Sequence, residues 1–533
     1  MPNLPIRGLG SVGVVTDVDP YNLPTNAYTR AKNIRFTDGN VTRGPIYRAV
    51  SDAITWNPVF SYGLAAQTGY DTVLVVDDTF DIHEFFNGNF TQRYNASTST
   101  SIDPVTATTL ADVQYVNRAD QVPVARTPTA NNFTALPNWP SNYRTTALRS
   151  FGDFLLALGT VEAGNSFPNR VRFSDPALAN QVPSTWDESD LTNSAGFNDL
   201  VQMKTPIMDG ATLGANFLVY SKDQVWMMEF VGGTFIFNFR KIFDDAGVIN
   251  QNCIVEVEGR HYVFDRKDIY VTDGNTRQSI CDGRVRNYVF GGMNTSRTDQ
   301  CFVLHNAALE EIYFCYHSGD DMAVYTDGTH CNRAAVYNYT EDVWSFQDLP
   351  NAVSGTEASV DSVFSYDDAT QSYENIGGTY HDQESQSNRR ALLVSSNGGG
   401  ITDSKLYGID LVDQGNLAQP VDTTVSSPLL LERVGIDLDD VGIPLSGYKV
   451  ISKVYPQMST VNADATFGFT FGASDTPNTT PNYQTEVTFD SSDEYKVDTR
   501  IAGRYLSYKL TTAILKDFTF SGMDVEVVVT GRR

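Results

Sequence analysis

Two consecutive segments in the middle of the chain follow one plan. The first, FLVYSKDQVWMMEFVGGTFIFNFRKIF (Phe217 to Phe243), is an alternating strand, a Ser-Lys-Asp turn, a second strand through Trp226 and Met228, a Gly232-Gly233 turn and a third strand. The second, CIVEVEGRHYVFDRKDIYVTDGNTRQSI (Cys253 to Ile280), has turns at Glu258-Gly259, Arg266-Lys267-Asp268 and Asp273-Gly274. Period-two alternation cut at short intervals by turn residues predicts antiparallel meanders of about 30 to 40 residues, the scale of a propeller blade. Repetition on this scale constrains the fold more than any other feature.

Less regular versions flank this pair. They run from Thr72 to Tyr94, from Arg149 to Gly164 into Asn169 to Pro176, from Cys301 to Gly319 into Ala334 to Leu349, and from Ala358 to Asp368 into Arg390 to Asp410. With the central pair this makes six units. Two polar stretches, NASTSTSIDPVTATT after Tyr94 and ATQSYENIGGTYHDQESQSNRR before Ala391, read as long surface loops. From about residue 405 the texture changes to strands of even length, as in YKVISKVYPQM, DATFGFTFGAS and MDVEVVVTGRR, which suggests a separate β-sandwich. The expected architecture is therefore mostly β. A β-propeller of about six blades, residues 59–404, is inserted into a sandwich-like platform formed by both chain termini, residues 1–58 and 405–533.

Composition agrees with a large β core. Of 533 residues 41% are apolar and 12% aromatic, including 27 Tyr and 30 Phe, which favours strands over helices. The 64 acidic residues exceed the 38 basic ones, giving a net charge of -26 that repels nucleic acid at long range and argues against sequence-specific DNA binding. Cys253, Cys281, Cys301, Cys315 and Cys331 fall in strand-like contexts and read as reduced, buried thiols. The start, MPNLPIRGLGSVGVV, has no signal-peptide core, and no run of about 18 apolar residues occurs, so a soluble product made in the cytoplasm is expected.

Motifs for catalysis are sparse. His83, His261, His305, His317, His330 and His381 lie in no HExxH spacing and accompany no GxSxG elbow, and no catalytic residue or cofactor is assigned. Cys315-Tyr316-His317 with His330-Cys331 could meet as a tetrahedral zinc site, or Cys315 could point inward while the histidines decorate turns. The second reading is preferred, and no metal is expected. Asp437-Leu438-Asp439-Asp440, Asp244-Asp245 and Asp320-Asp321 could hold calcium, but none has the twelve-residue loop pattern, and solvated turns account for them. A carbohydrate-binding or glycan-degrading propeller is the rival reading. It would place exposed Trp and paired carboxylates at one end, yet the five Trp are dispersed, with Trp226 and Trp344 at strand positions that suit core packing.

Against the acidic background, RAKNIRFTDGNVTRGPIYR (Arg30 to Arg48) gathers cations around a β-hairpin with an Asp38-Gly39 turn. Arg30, Lys32, Arg35, Arg43 and Arg48 are expected at exposed positions, as a solvated face or as a docking edge for a partner's carboxylates.

The pattern NIRFTDGNVTRGPIYR resembles the opening of the tail nozzle proteins (tail tubular protein B family) of short-tailed bacteriophages. The stretch from Asp199 to Ile249 continuing through Gly259 to Phe290 resembles the same family, and GRYLSYKLTTAILKDFTFSGMDVEVVVTGRR resembles its closing strands. The resemblance implies a non-enzymatic virion protein forming a homohexameric nozzle at the distal end of a short tail. It implies an outer propeller, a platform built from both termini, docking on a tail adaptor ring and support for tail fibre or spike proteins. Genomic double-stranded DNA would pass through the channel without sequence-specific binding, and the host cell surface would be met indirectly. The large tip domain of longer relatives is expected to be missing. Nothing in the resemblance names channel-lining residues.

Overall fold

The computed structural model describes residues 3–530 apart from 66–70, 87–88, 97, 191, 234, 321–324, 359–389, 411–427, 440–441, 444–446, 461–465, 478 and 513–516. His381, Asp321, Asp440 and the polar stretch before Arg390 lie outside the described residues.

Residues 58–94, 105–135, 143–199, 207–243 and 254–279 each form a four-stranded antiparallel sheet in which strand follows strand in chain order. The turns dictate this. Glu258 and Gly259, at φ 51° and 73°, form a two-residue left-handed turn that folds Ile254–Val257 back onto Arg260–Phe264. The second meander, residues 105–135, contradicts the expected loop after Tyr94. VTATT belongs to the strand Val105–Leu110, which turns through Ala111 and Asp112 at φ 49° and 64° into Val113–Arg118. That turn has the required left-handed geometry but no glycine to announce it.

A seven-stranded sheet follows, ordered Phe302–Asn306, Glu311–Tyr316, Cys331–Asn338, Val343–Ala358, Arg390–Ser395, Leu406–Ile409 and Tyr47–Ala49. Its long strand Val343–Ala358 pairs with Cys331–Asn338 along its first half and Arg390–Ser395 along its second, shifting register near Ala352. The last two expected units are therefore one sheet.

First strands of successive sheets lie side by side: Pro58–Ala65, Val105–Leu110, Tyr143–Phe151, Ile207–Leu213, Ile254–Val257 and Phe302–Asn306. Apolar clusters fill the spaces between them, such as Phe60, Val76, Val105 and Val116 between the first and second meanders. Between the third and fourth lie Phe151, Leu156, Phe217 and Trp226. Val73 and Val75 of the first meander pack on Leu392, Val394 and Leu406 of the seven-stranded sheet.

Two six-stranded sheets mix the chain's ends. In one, Phe518–Thr530 pairs with Tyr448–Thr460, Asn3–Arg7 and Asn40–Arg43. In the other, Leu429–Ile436 pairs with Tyr505–Thr512 and Arg30–Lys32, and Tyr505–Thr512 pairs in turn with Thr466–Ser474. They face each other through ring pairs Phe467–Phe518 at 5.1 Å and Phe469–Phe520 at 6.4 Å.

Where the first meander meets the long strand, Ser61 N–H donates to Ser354 Oγ at 3.1 Å and Gly63 N–H donates to Thr356 Oγ1 at 2.6 Å. A Cβ on Gly63 would overlap the Glu357 carbonyl oxygen. Gly63→Ala should therefore push the two strands apart and cost about 1–3 kcal/mol. Gly291→Ala, with no atom near its Cβ, should not destabilise, and urea unfolding midpoints of the two variants test the difference.

Candidate functional site

Asp38 (φ 53°) and Gly39 (φ 68°) close the predicted hairpin between Ile34–Thr37 and Asn40–Arg43. Ile34, Phe36 and Val41 alternate into the core. The opposite face, expected in solvent, is covered. Arg35 Nε donates to Glu311 Oε1 at 2.7 Å, its Nη2 donates to the Tyr313 hydroxyl at 3.0 Å, and its Nη1 bonds Asp410. Tyr313 in turn donates to Glu311 Oε2 at 2.8 Å. Burial works against the Arg35 charge, but Asp410 and then Glu311 outweigh it and hold its pKa well above the ordinary value.

The remaining cations extend this clamp. Lys32 Nζ sits 3.2 Å from Asp348, whose carboxylate also accepts from Asn33 Nδ2 at 2.9 Å. Arg43 Nε donates to Asp517 at 2.9 Å and Arg43 Nη2 lies 3.5 Å from Asp410. Arg30 lies 3.6 Å from Glu432, and Arg48 is paired in register with Gly408. The expectation of an exposed edge is thus corrected: Lys32 and Arg35 are buried, while Arg30, Arg43 and Arg48 are half-buried. Sequence reasoning missed the carboxylates that face them, because Glu311 and Asp410 lie 276 and 375 residues from Arg35.

A second polar centre lies where the first strands converge, around a cavity of about 300 Å³ lined by Phe60, Ser61, Thr108, Arg149, Asp209 and Asn252 among others. Arg149 holds both oxygens of Asp209 at 2.7 Å, donates to Asn252 Oδ1 at 2.9 Å and reaches the Ala107 carbonyl at 3.1 Å. Asn252 Nδ2 donates across to the Val105 carbonyl at 3.0 Å. These three side chains tie four successive meanders together. Lining hydroxyls bond each other, Thr108 with Ser150 at 2.8 Å and Ser61 with Ser354 at 3.2 Å. Glycoside hydrolysis calls for two carboxyl groups, whereas Asp209 is the one carboxylate among the described lining residues and Arg149 occupies it.

The other candidates have local partners. The five cysteines are free and buried, as expected. Burial drives the Cys315 and Cys331 thiols well above their ordinary range. Cys331 Sγ donates to the Gln300 carbonyl at 3.3 Å. His317, expected on a turn, is buried, with Nε2 3.1 Å from the Gly328 carbonyl. Among the described residues no three His, Cys, Asp or Glu side chains gather as metal ligands. Asp244 is held by Lys204 at 3.0 Å and Lys241 at 3.2 Å, and Asp320 by Arg333 and the Tyr288 hydroxyl. Trp226 and Trp344 are buried, and Trp139 packs edge-on against Trp186 at 4.8 Å.

No family model matches the chain, and no curated protein matches it. Among solved structures it is similar to YCF48 from Cyanidioschyzon merolae, at 12% identity over 36% of this chain and 62% of that one, with a TM-score of 0.27. It is also similar to a chain of the mitotic checkpoint complex (9% identity, 68% and 93% covered, TM-score 0.37) and to the computationally designed Ika8 protein (7% identity, 68% and 99% covered, TM-score 0.35). The chain thus spans less than two thirds of YCF48. At scores this low none of the three transfers an arrangement or a role to this protein.

Two outcomes follow from these sites. Arg35→Met leaves Glu311 without its cation and Asp410 with the more distant Arg43 alone, and should lower stability by about 3–5 kcal/mol, with Arg35→Lys intermediate; an unchanged urea midpoint would refute the clamp. Burial, and then Arg297, push the His330 pKa from 6.5 down to about 4. The unfolded chain therefore binds a proton that the folded chain does not. Stability should fall as pH drops from about 6.5 to about 4, and His330→Gln should flatten that part of the stability profile by about one proton's slope.

Proposed function

We propose that this chain is a structural subunit of a homohexameric tail nozzle in a short-tailed bacteriophage virion, a conduit for genome ejection without catalytic chemistry. The observation that carries the reading is the interweaving of both chain ends in the same two sheets, with the whole meander array suspended between them. The ordered sequence resemblance at the start, middle and end points the same way.

In this reading the five meanders and the seven-stranded sheet close into a six-bladed propeller. The bonds from Ser61 and Gly63 to the long strand and the Val73–Leu392 apolar seam support closure. The two facing six-stranded sheets serve as the platform, a sandwich built from residues 1–58 and 405–533. Platforms of neighbouring copies surround the channel, dock on an adaptor ring and support fibre or spike proteins. The cations of the N-terminal hairpin act first inside the subunit, fixing propeller to platform, so adaptor contacts draw on other surface.

The lumen is acidic in this reading. Six copies at -26 each bring roughly -156 charges, and repulsion acting within about 8 Å keeps phosphates off the wall. Negative-stain imaging of particles should show six-fold rings at the distal end of a short tail. Particles whose tails contain no such ring would sink the assignment. Purified rings should bind duplex DNA weakly at both about 50 and about 150 mM salt, whereas tight binding that fades with salt would mean a gripping, basic channel.

A further inference from the structure

We propose that the tip of the hairpin Val225–Phe230 and Phe237–Phe243 is a membrane-interface anchor that places aromatic side chains among the headgroups of a lipid bilayer. The tip sequence, FVGGTFIF from Phe230 to Phe237, carries no ionisable group over eight residues. Phe235 is 79% exposed, Phe230 57% and Val231 55%. The first strand of this hairpin is otherwise anchored, since Val225, Trp226, Met227 and Met228 are all in the core, and Phe237 is the buried residue of the second. The exposed rings are the outer end of that core rather than isolated surface residues.

The base of the wedge is preformed. Phe230 packs tilted against Phe154 at 5.9 Å and edge-on against Phe237 at 5.8 Å, and Phe237 meets Phe173 at 4.9 Å. Val231 and Gly232 N–H groups both donate to the Ile236 carbonyl, at 3.0 and 3.3 Å, closing the turn. Phe230 therefore has little conformational freedom left to lose on insertion.

Size selects a bilayer over a protein groove. The three side chains expose roughly 300–400 Å², taking about 200 Å² for a phenyl side chain. A stable protein interface takes about 800 Å² per partner. Aromatic and aliphatic side chains seated at the headgroup boundary are what an interfacial anchor uses. The cations at the base of the hairpin are engaged locally, Arg240 with Glu229 at 3.1 Å and Lys241 with Asp244 at 3.2 Å, so the tip brings no unpaired charge to desolvate. Among the described residues no helix is long and apolar enough to span a membrane. In a ring of six the tips would act together and multiply a weak single contact.

Flotation of the full chain with phosphatidylethanolamine–phosphatidylglycerol vesicles tests this without relying on the nozzle reading. The wild type should float, and Phe230→Ser/Phe235→Ser should lose at least about tenfold in partitioning, about 1.4 kcal/mol. Phe235→Trp keeps the exposed bulk, so it should retain binding and add a blue-shifted emission that depends on vesicles. Unchanged melting of both variants controls for folding. A wild type that stays in the soluble fraction, or a double variant that floats equally well, overturns the proposal.

Discussion

A guanidinium buried away from water must find carboxylates or lose its place in the fold. Arg35 finds two, Glu311 on the seven-stranded sheet and Asp410 just beyond that sheet's last strand from the C-terminal half. Because Asp410 also accepts the Ile46 N–H at 2.8 Å and lies beside Arg43, one carboxylate fixes both arms leaving the hairpin. Ion pairs of this kind give little net energy compared with well-packed apolar groups. We read the role of this one as positional: only one register of hairpin against sheet lets Arg35, Lys32 and Asn33 all reach partners.

The same logic recurs at the centre of the meander array. Arg149, Asp209 and Asn252 use side-chain bonds to hold strands that share no ladder with each other. Apolar clusters between sheets supply area, which is non-directional and tolerant of sliding. Polar hubs supply direction. The array therefore combines slack apolar layers with a small number of bonds that fix each sheet's rotation relative to the next.

Much of this plan was legible in the residues. Alternation and Gly-containing turns located the third to fifth meanders and the N-terminal hairpin, since each depends on neighbours in sequence. The meander at 105–135 was hidden because its turn, Ala111-Asp112, takes left-handed geometry without glycine or asparagine, and its first strand is rich in Thr. The merging of two expected units at Val343–Ala358 was hidden because a single 16-residue strand serving two partners has no local signature. Alternation also placed Arg35 correctly on the face opposite Phe36, but what covers that face is decided by residues hundreds of positions away.

The pairing of Asn3–Arg7 with Phe518–Thr530 has a consequence in time. At about 5–20 residues per second, roughly 25–100 s pass between emergence of the first strand from the ribosome and synthesis of the strand that receives it. Each meander closes on itself within a few dozen residues and can fold as it appears. Ile6, Phe36 and Val41 must wait through that interval with part of their apolar cover, around Phe520 and Met523, not yet made. The chain's opening segment is thus the last to find its place, and the period of its exposure is set by the length of everything between.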